Sequence, residues 1–365
     1  MSSTVFNHKN DAYLTASYPL FMGQPLAMYD SMNKIYPELF DLYKQQKAQD
    51  WSEDEVNLEN SRIDFQTAAK SEIEVCIENL LWQWEADSRV SRNIITLLAP
   101  FISNNEFAAM VTKQTEIENL HALTYSEIVR QCISDPTEMI KRVMDNQAVL
   151  DRSSTIDDVM AELEILGAKK RLGYELDDEH IRQTLIKFMV SILALEGLEF
   201  IASFACTFAL AQRGLFMGVA QLVQKIMLDE ILHSKMDFAA LDILLKDPVW
   251  FQSYQNCKGD VQRILDEVME NESNWADYIF SEGRSVVGLN PTLLKEWVYY
   301  SAKPLYDFLN LDYNYPVVVK NPLPYMDKWM NIDSQQNANQ EQDNSQYLLN
   351  TMVNDDEDGK GLGAY

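Results

Sequence analysis

Two short segments constrain this chain more than any others: Glu118-Asn119-Leu120-His121, followed one turn later by Tyr125, and Glu230-Ile231-Leu232-His233. Residues three and four apart share one face of an α-helix, so Glu118, His121 and Tyr125 project together, as do Glu230 and His233. Both segments sit in strongly apolar helical stretches, where a carboxylate is costly unless it is paired or binds a metal. Each helix offers one oxygen and one nitrogen ligand. That pairing, presented twice, does not suit a structural zinc site, which prefers thiolates and closes at four ligands, but it suits a hard redox metal such as iron or manganese. Tyr125 is the surplus piece, one turn beyond a candidate ligand.

The surrounding pattern is helical. Hydrophobic periodicity predicts a helix over 31–46 and long helices over 68–96, 104–132, 138–166, 178–213, 215–246 and 260–284. Short connections at Pro100, Asn104-Asn105, Asp135-Pro136, Gly214 and Pro248 make the expected fold all-α, an antiparallel bundle. No Gly/Ser-rich or Pro-rich linker divides the first 330 residues, and 365 residues at 47% hydrophobic composition can bury a large core. The expected organisation is an arm over 1–30 packed on the core, one helical domain over 31–332, and a tail over 333–365. Within the domain, Ser52 is placed to cap a short acidic turn after Trp51, which by itself reads as an aromatic anchor. The stretch Tyr315-Pro316-Val317-Val318-Val319 reads as a short strand or an extended cover. The tail is rich in Gln, Asn and Asp around the apolar islands Tyr347-Leu348-Leu349 and Met352-Val353, which marks it as a docking segment.

A formal charge of −26 argues against nucleic-acid partners, since phosphate would be repelled from most faces. The four cysteines, Cys76, Cys132, Cys206 and Cys257, are far apart and form no C-x-x-C pair, as expected of reduced core thiols in a cytoplasmic protein. The N-terminus has no basic region followed by an apolar run. The longest apolar stretch, near Phe188 to Phe208, is broken by Glu196 and Glu199, against a membrane span. There is no Gly-rich phosphate loop, nucleophile elbow or repeat beyond the doubled Glu-x-x-His.

Two further acids stand on apolar faces: Asp87, after Leu80-Leu81-Trp82-Gln83-Trp84-Glu85-Ala86, and Glu196, after Ile192-Leu193-Ala194-Leu195. Ferritin-like dimetal carboxylate bundles take one carboxylate from each of two helices and a Glu-x-x-His from each of two others. Asp87, Glu118, His121, Glu196, Glu230 and His233 fill that template in order.

These residues, with several that have no metal-binding purpose, make the chain resemble the small, radical-generating subunits of class I ribonucleotide reductase, of the tyrosyl-radical type. The likeness runs through Phe21-Met22-Gly23-Gln24-Pro25, Trp51 with Glu55-Val56, Ala86-Asp87-Ser88, Glu118 to Tyr125, and Ala194-Leu195-Glu196. It continues in Phe200 with Ser203-Phe204-Ala205-Cys206, Asp229-Glu230 with Leu232-His233, Asn274-Trp275-Ala276-Asp277-Tyr278 and Gly288-Leu289-Asn290.

The resemblance implies a ferritin-like fold and two irons per chain, with di-manganese as the alternative. Asp87, Glu118 and His121 would hold one metal and Glu196, Glu230 and His233 the other, with Glu118 and Glu230 bridging. It further implies dioxygen-dependent formation of a stable radical on Tyr125, in an apolar lining of Phe200, Phe204 and Ile226, each of which alone would read as plain core. Trp51, coupled through Asp229 to His121, and Tyr347 would relay the radical to a large subunit docked on the tail. That subunit would reduce ribonucleoside diphosphates, and the small subunit would be a homodimer. Leu228, where many relatives have arginine, and Glu199, one turn from Glu196, depart from the pattern and bear on hydrogen bonding or metal preference. Two other classes fit parts of the sequence: another dimetal oxidase or ferroxidase of this bundle, which needs neither Trp51 nor Tyr347 nor the tail, and a non-enzymatic scaffold whose buried acids and histidines pair with one another.

Overall fold

Alternating apolar stripes and capped termini organise the chain as helices throughout residues 6–331, the part that the computed structural model describes. In chain order these are α1 (Ala12–Thr15), α2 (Pro37–Ala48), α3 (Glu59–Thr67), α4 (Lys70–Leu98), α5 (Asn105–Cys132), α6 (Pro136–Asp145) and α7 (Gln147–Ser153). There follow α8 (Asp157–Leu172), α9 (Asp178–Ala194), α10 (Phe200–Ala211), α11 (Met217–Lys246), α12 (Pro248–Ile279), α13 (Pro291–Phe308) and α14 (Tyr325–Trp329). A π turn over Leu195–Glu199 joins α9 to α10. Among the described residues the only β pairing is two isolated bridges, Phe21 with Ile102 and Val286 with Leu289. No described helix is long and apolar enough to cross a membrane.

α4 and α5 pack along each other, α9, α10 and α11 close the bundle around them, and α2 lies across α5 and α11. The register between α4 and α10 is fixed by a buried polar knot. Asn79 Nδ2 donates to Ser203 O and Thr207 Oγ1, both at 3.1 Å, and Ser203 Oγ donates to Asn79 Oδ1 at 2.6 Å. The N-terminal arm is tied down by main-chain bonds, Met22 N to Phe101 O at 2.8 Å and Ser103 N to Leu20 O at 2.9 Å. Four buried, unbridged cysteines accord with core thiols. Ser52 caps the turn Glu53–Glu55 in a reciprocal capping box with Glu55.

Several boundaries differ from the periodicity, each for a local reason. The single helix expected over 138–166 is broken into α6, α7 and α8. Asn146 leaves the helical region (φ −89°, ψ 100°) and its Oδ1 accepts from Ala148 N and Val149 N, so a new helix starts there. The helix expected over 260–284 starts at Pro248, because Pro at the first helical position needs no hydrogen-bond partner and Asp247 Oδ1 caps Val249 N and Trp250 N. It ends at Ile279, where Arg284 donates to the carbonyls of Tyr278 and Ile279. Pro37 likewise starts α2 later than expected. The reading of 59–67 omitted α3, the Pro-rich section after 290 contains α13, and Tyr315–Val319 forms no strand.

The start of α11, which carries Glu230 and His233 farther along, is fitted closely to α3. Gly218 N and Val219 N donate to Ser61 Oγ at 3.0 and 3.3 Å, and a Cβ at Gly218 would stand 2.8 Å from the Asn57 carbonyl oxygen. Gly218→Ala is expected to destabilise the fold by about 1–3 kcal/mol, the usual range for overpacking. Denaturant unfolding of the variant checks this; an unchanged midpoint would mean that α3 gives way freely.

A candidate dimetal centre

Asp87 comes from α4, Glu118 and His121 from α5, Glu196 from the π turn, and Glu230 and His233 from α11, and none is more than 1% exposed. Their ligand atoms form two overlapping groups, Asp87/Glu118/His121/Glu230 and Glu118/Glu196/Glu230/His233, each within 4.8 Å. Glu118 and Glu230 belong to both. His121 Nδ1 lies 3.4 Å from Glu118 Oε2 and 3.0 Å from Glu230 Oε1. His233 Nδ1 lies 2.8 Å from Glu118 Oε1, 3.1 Å from Glu230 Oε2 and 3.8 Å from Glu196 Oε2. The extra residue per turn of a π segment, a distortion frequent at functional sites, re-aims Glu196 within an otherwise continuous apolar helix.

The outer nitrogen of each imidazole is anchored. His121 Nε2 is 3.1 Å from Asp229 Oδ2, which also accepts from Trp51 Nε1 at 2.7 Å, and the Trp51 and His121 rings stack at 6.1 Å. His233 Nε2 is 2.8 Å from the side-chain amide of fully buried Gln46, whose Oε1 has no other partner. Oxygen and nitrogen of an amide are interchangeable in shape, and turning this one over lets Oε1 accept the imidazole proton. Both histidines then direct Nδ1 inward, the tautomer a metal ligand needs. Gln114 Nε2 donates to Glu196 Oε1 at 2.8 Å and orients that carboxylate.

Whether metals fit can be judged from the atoms left without partners. Both oxygens of Asp87, both of Glu118, Glu196 Oε2, Glu230 Oε1, His121 Nδ1 and the Tyr125 hydroxyl are buried with no hydrogen bond. No lysine or arginine pairs with any of the four carboxylates among the described residues. Such a concentration of unpartnered acceptors is costly in a core, and a cation among them would relieve it. Oxygen-rich ligands with one imidazole per site fit iron or manganese.

Without that cation, protons take its place. Burial, then repulsion by Glu118, pushes the Asp87 carboxyl well up, and burial, then Asp237, does the same to Glu196. For Glu118 burial is outweighed by His233 and His121, which hold it at about 2. The imidazoles rise well above their usual value, since Glu230 and Asp229 around His121, and Glu118 and Glu196 around His233, overcome burial.

Tyr125 is fully buried, and its phenol is raised well above 10 by burial and then by Asp87, Glu230 and Glu118. Phe200, Phe204 and Ile226 are fully buried, with Phe200 and Phe204 stacked at 5.8 Å. Tyr347 lies outside the described residues. Glu199 does not face the ligands. It belongs to a second buried cluster with Glu272 and Arg152, where burial and then Glu272 push its carboxyl up to about 8. Leu228 is buried apolar surface. The residue reading missed Gln46, Gln114 and Asp237. Only Asp237 carried a signal, as a further acid one turn after His233 on the same face of α11, and it too is buried with a raised carboxyl.

With this geometry in hand, comparison with known proteins is informative. The family model for the ribonucleotide reductase small chain matches residues 30–322. The chain belongs to the ribonucleotide reductase small-chain family. As a ribonucleotide reductase small chain it is 30% identical over 366 residues to ribonucleoside-diphosphate reductase 1 subunit beta of Escherichia coli O157:H7, covering 96% of each chain. It is 29% identical to the beta subunit of Haemophilus influenzae, again over 96% of each. The ribonucleotide reductase R2 subunit from Clostridium botulinum shares the fold, with a TM-score of 0.74 and 18% identity over 91% of this chain and 99% of that one. The family match and the shared fold agree on a helical, ferritin-like small chain.

Because Glu118 lies in both ligand groups and Asp87 in one, Glu118→Ala is expected to abolish binding of both metals and Asp87→Ala to weaken one site, as read by metal analysis after gel filtration. The protons held by Asp87, Glu196 and the two histidines must leave as metal enters, so affinity should rise with pH and loading should acidify a weakly buffered solution. Binding that is independent of pH would contradict the assignment of these ligands.

Proposed function

We propose that this small chain binds two irons through Asp87, Glu118, His121, Glu196, Glu230 and His233, with Glu118 and Glu230 shared, and stores an oxidising equivalent on Tyr125. When bound, the metals supply the redox chemistry, reducing dioxygen and withdrawing an electron from Tyr125. The observation that carries this reading is the Tyr125 hydroxyl itself: buried, without a hydrogen-bond partner, and influenced among charges most strongly by Asp87. A phenol that loses an electron becomes a strong acid, and Asp87 is the carboxylate we assign to receive its proton. Phe200, Phe204 and Ile226 exclude water from the site, which gives the radical its lifetime.

The hydrogen-bonded series Trp51, Asp229, His121 connects a half-buried indole to a metal ligand in two steps of 2.7 and 3.1 Å. Asp229 can hold the indole proton while an electron passes inward, and Trp51 is the relay in the opposite direction during turnover. From there the radical passes through Tyr347 to a large subunit docked on the C-terminal residues, where ribonucleoside diphosphates are reduced. Nucleotide binding and reduction belong to that partner, and the functional small subunit is a homodimer. Di-manganese is the second metal reading, since the same oxygen and nitrogen donors accept either ion.

Electron paramagnetic resonance of the apo-protein loaded with ferrous iron and exposed to air tests this reading. A tyrosyl doublet is expected, lost in Tyr125→Phe while metal content is retained. No doublet with iron, but one after loading with manganese and an oxidant, would select manganese; its absence with both would reject the radical. Trp51→Phe should keep its metals and lose turnover with the large subunit, and intact turnover would exclude the relay.

A further inference from the structure

On α4, five residues before Asp87 and so about 7.5 Å along the helix axis, stands a second tryptophan, Trp82, fully buried. Its ring lies 5.1 Å from Phe200 and 6.4 Å from Trp275, and Trp275 lies 5.3 Å from Tyr278. Tyr278 is half-buried and its hydroxyl donates to Glu78 Oε2 at 2.9 Å. A continuous file of aromatic rings thus leads away from the centre, opposite in purpose to Trp51, and ends on a tyrosine with a proton acceptor. Such a file is a route by which an oxidising equivalent could be lost.

The file is interrupted by a charge. The guanidinium carbon of Arg152 stands 3.5 Å from the centroid of Trp82 and 4.7 Å from that of Trp275, in contact with both rings. Arg152 is 2% exposed, held by Glu272 through Nε at 2.5 Å and Nη2 at 2.8 Å, with Nη2 also donating to Glu199 O at 2.9 Å. Neither Trp82 Nε1 nor Trp275 Nε1 has a hydrogen-bond partner. One-electron oxidation leaves an indole as a radical cation that must either shed its N–H proton or keep its charge. Trp51 has Asp229 Oδ2 at 2.7 Å to take that proton, and its nearest cation, Lys225, is 5.9 Å from the ring and neutralised by Glu55. Trp82 and Trp275 have no acceptor, so a hole on either would sit as a full charge against a guanidinium in a medium that screens poorly. Glu272 reduces this repulsion but bonds the guanidinium, not the indoles.

We propose that Arg152 fixes the direction from which the centre draws electrons, making Trp82 and Trp275 poor donors and leaving Trp51 as the competent one. Arg152 is a positioning residue in this scheme. The inference rests on the radical function proposed above. The oxidant is the dimetal centre with dioxygen. In the favoured step it gains the electron that Trp51 loses, and the proton goes to Asp229. In the suppressed leak it gains an electron from Trp82, refilled in turn from Trp275 and Tyr278, whose proton goes to Glu78.

The test replaces the ion pair by amides, Arg152→Gln with Glu272→Gln, so that no buried carboxylate is left unpaired. After loading with ferrous iron and exposure to air, this variant is expected to show an oxidised Tyr278, with oxygenated Trp82 or Trp275 where refilling is incomplete, in peptide mass spectra and a several-fold lower Tyr125 radical yield. Adding Trp82→Phe should restore the yield, and Arg152→Lys, which keeps the charge, should behave as the parent. A folded amide variant with parental yield, unmodified indoles and an unmodified Tyr278 overturns the proposal. The Trp51→Phe chain gives an arm that leaves the cluster intact: with the preferred donor gone, Trp82 and Trp275 are expected to remain unmodified while Arg152 is present, and their oxygenation there would equally overturn it. A parent chain that binds iron yet forms no radical on Tyr125 defeats the proposed function and this inference together, whereas a normal parent with an unaffected variant defeats this inference alone.

Discussion

Four carboxylates and two imidazoles are held in a buried volume with no lysine or arginine bonded to the carboxylates among the described residues. Everything nearby is arranged to tolerate that concentration of charge. Helices from distant parts of the chain must converge to create it, and each ligand is braced from outside: His121 by Asp229, His233 by Gln46, Glu196 by Gln114. Unbraced ligands would swing apart under mutual repulsion. Burial, and then repulsion within the cluster, pushes the Asp87 carboxyl up, while Glu118, between two imidazoles, is held down.

A second buried charge cluster lies behind the first and obeys different rules. Arg152 and Glu272 satisfy each other, and two indoles sandwich the guanidinium. The first cluster is short of positive charge, as a cation site requires; the second supplies its own. The two tryptophans therefore have unlike electrostatic neighbours, a carboxylate bonded to Trp51 and a cation against Trp82. The same side chain, tryptophan, thus meets a proton acceptor in one place and a buried cation in the other.

Much of this was legible in the sequence, because helical periodicity converts spacing into direction. Three-residue separations place Glu118 with His121 and Glu230 with His233 on common faces whatever the bundle geometry. The apolar runs containing Asp87 and Glu196 announce that these acids are buried. Boundaries were less legible. Pro248, read as a break, opens a helix, and Pro37, read inside one, opens it too, since the first turn needs no amide donor, while Asn146 ends and restarts a helix through a side-chain cap that competes with the main-chain ladder.

The sequence by itself determined the candidate ligand types, their faces and the all-helical architecture, because these follow from composition and a fixed 3.6-residue period. Only the tertiary structure decided which acids share the centre. Glu199, one turn from Glu196, belongs instead with Arg152 and Glu272, since both acids lie within the π turn, whose wider winding aims their carboxylates toward different neighbours. Gln46, from a helix far away in sequence, and the guanidinium against Trp82 were likewise beyond reach of spacing. Contacts between distant segments depend on how helices cross, and crossing is set by the packing of the whole core.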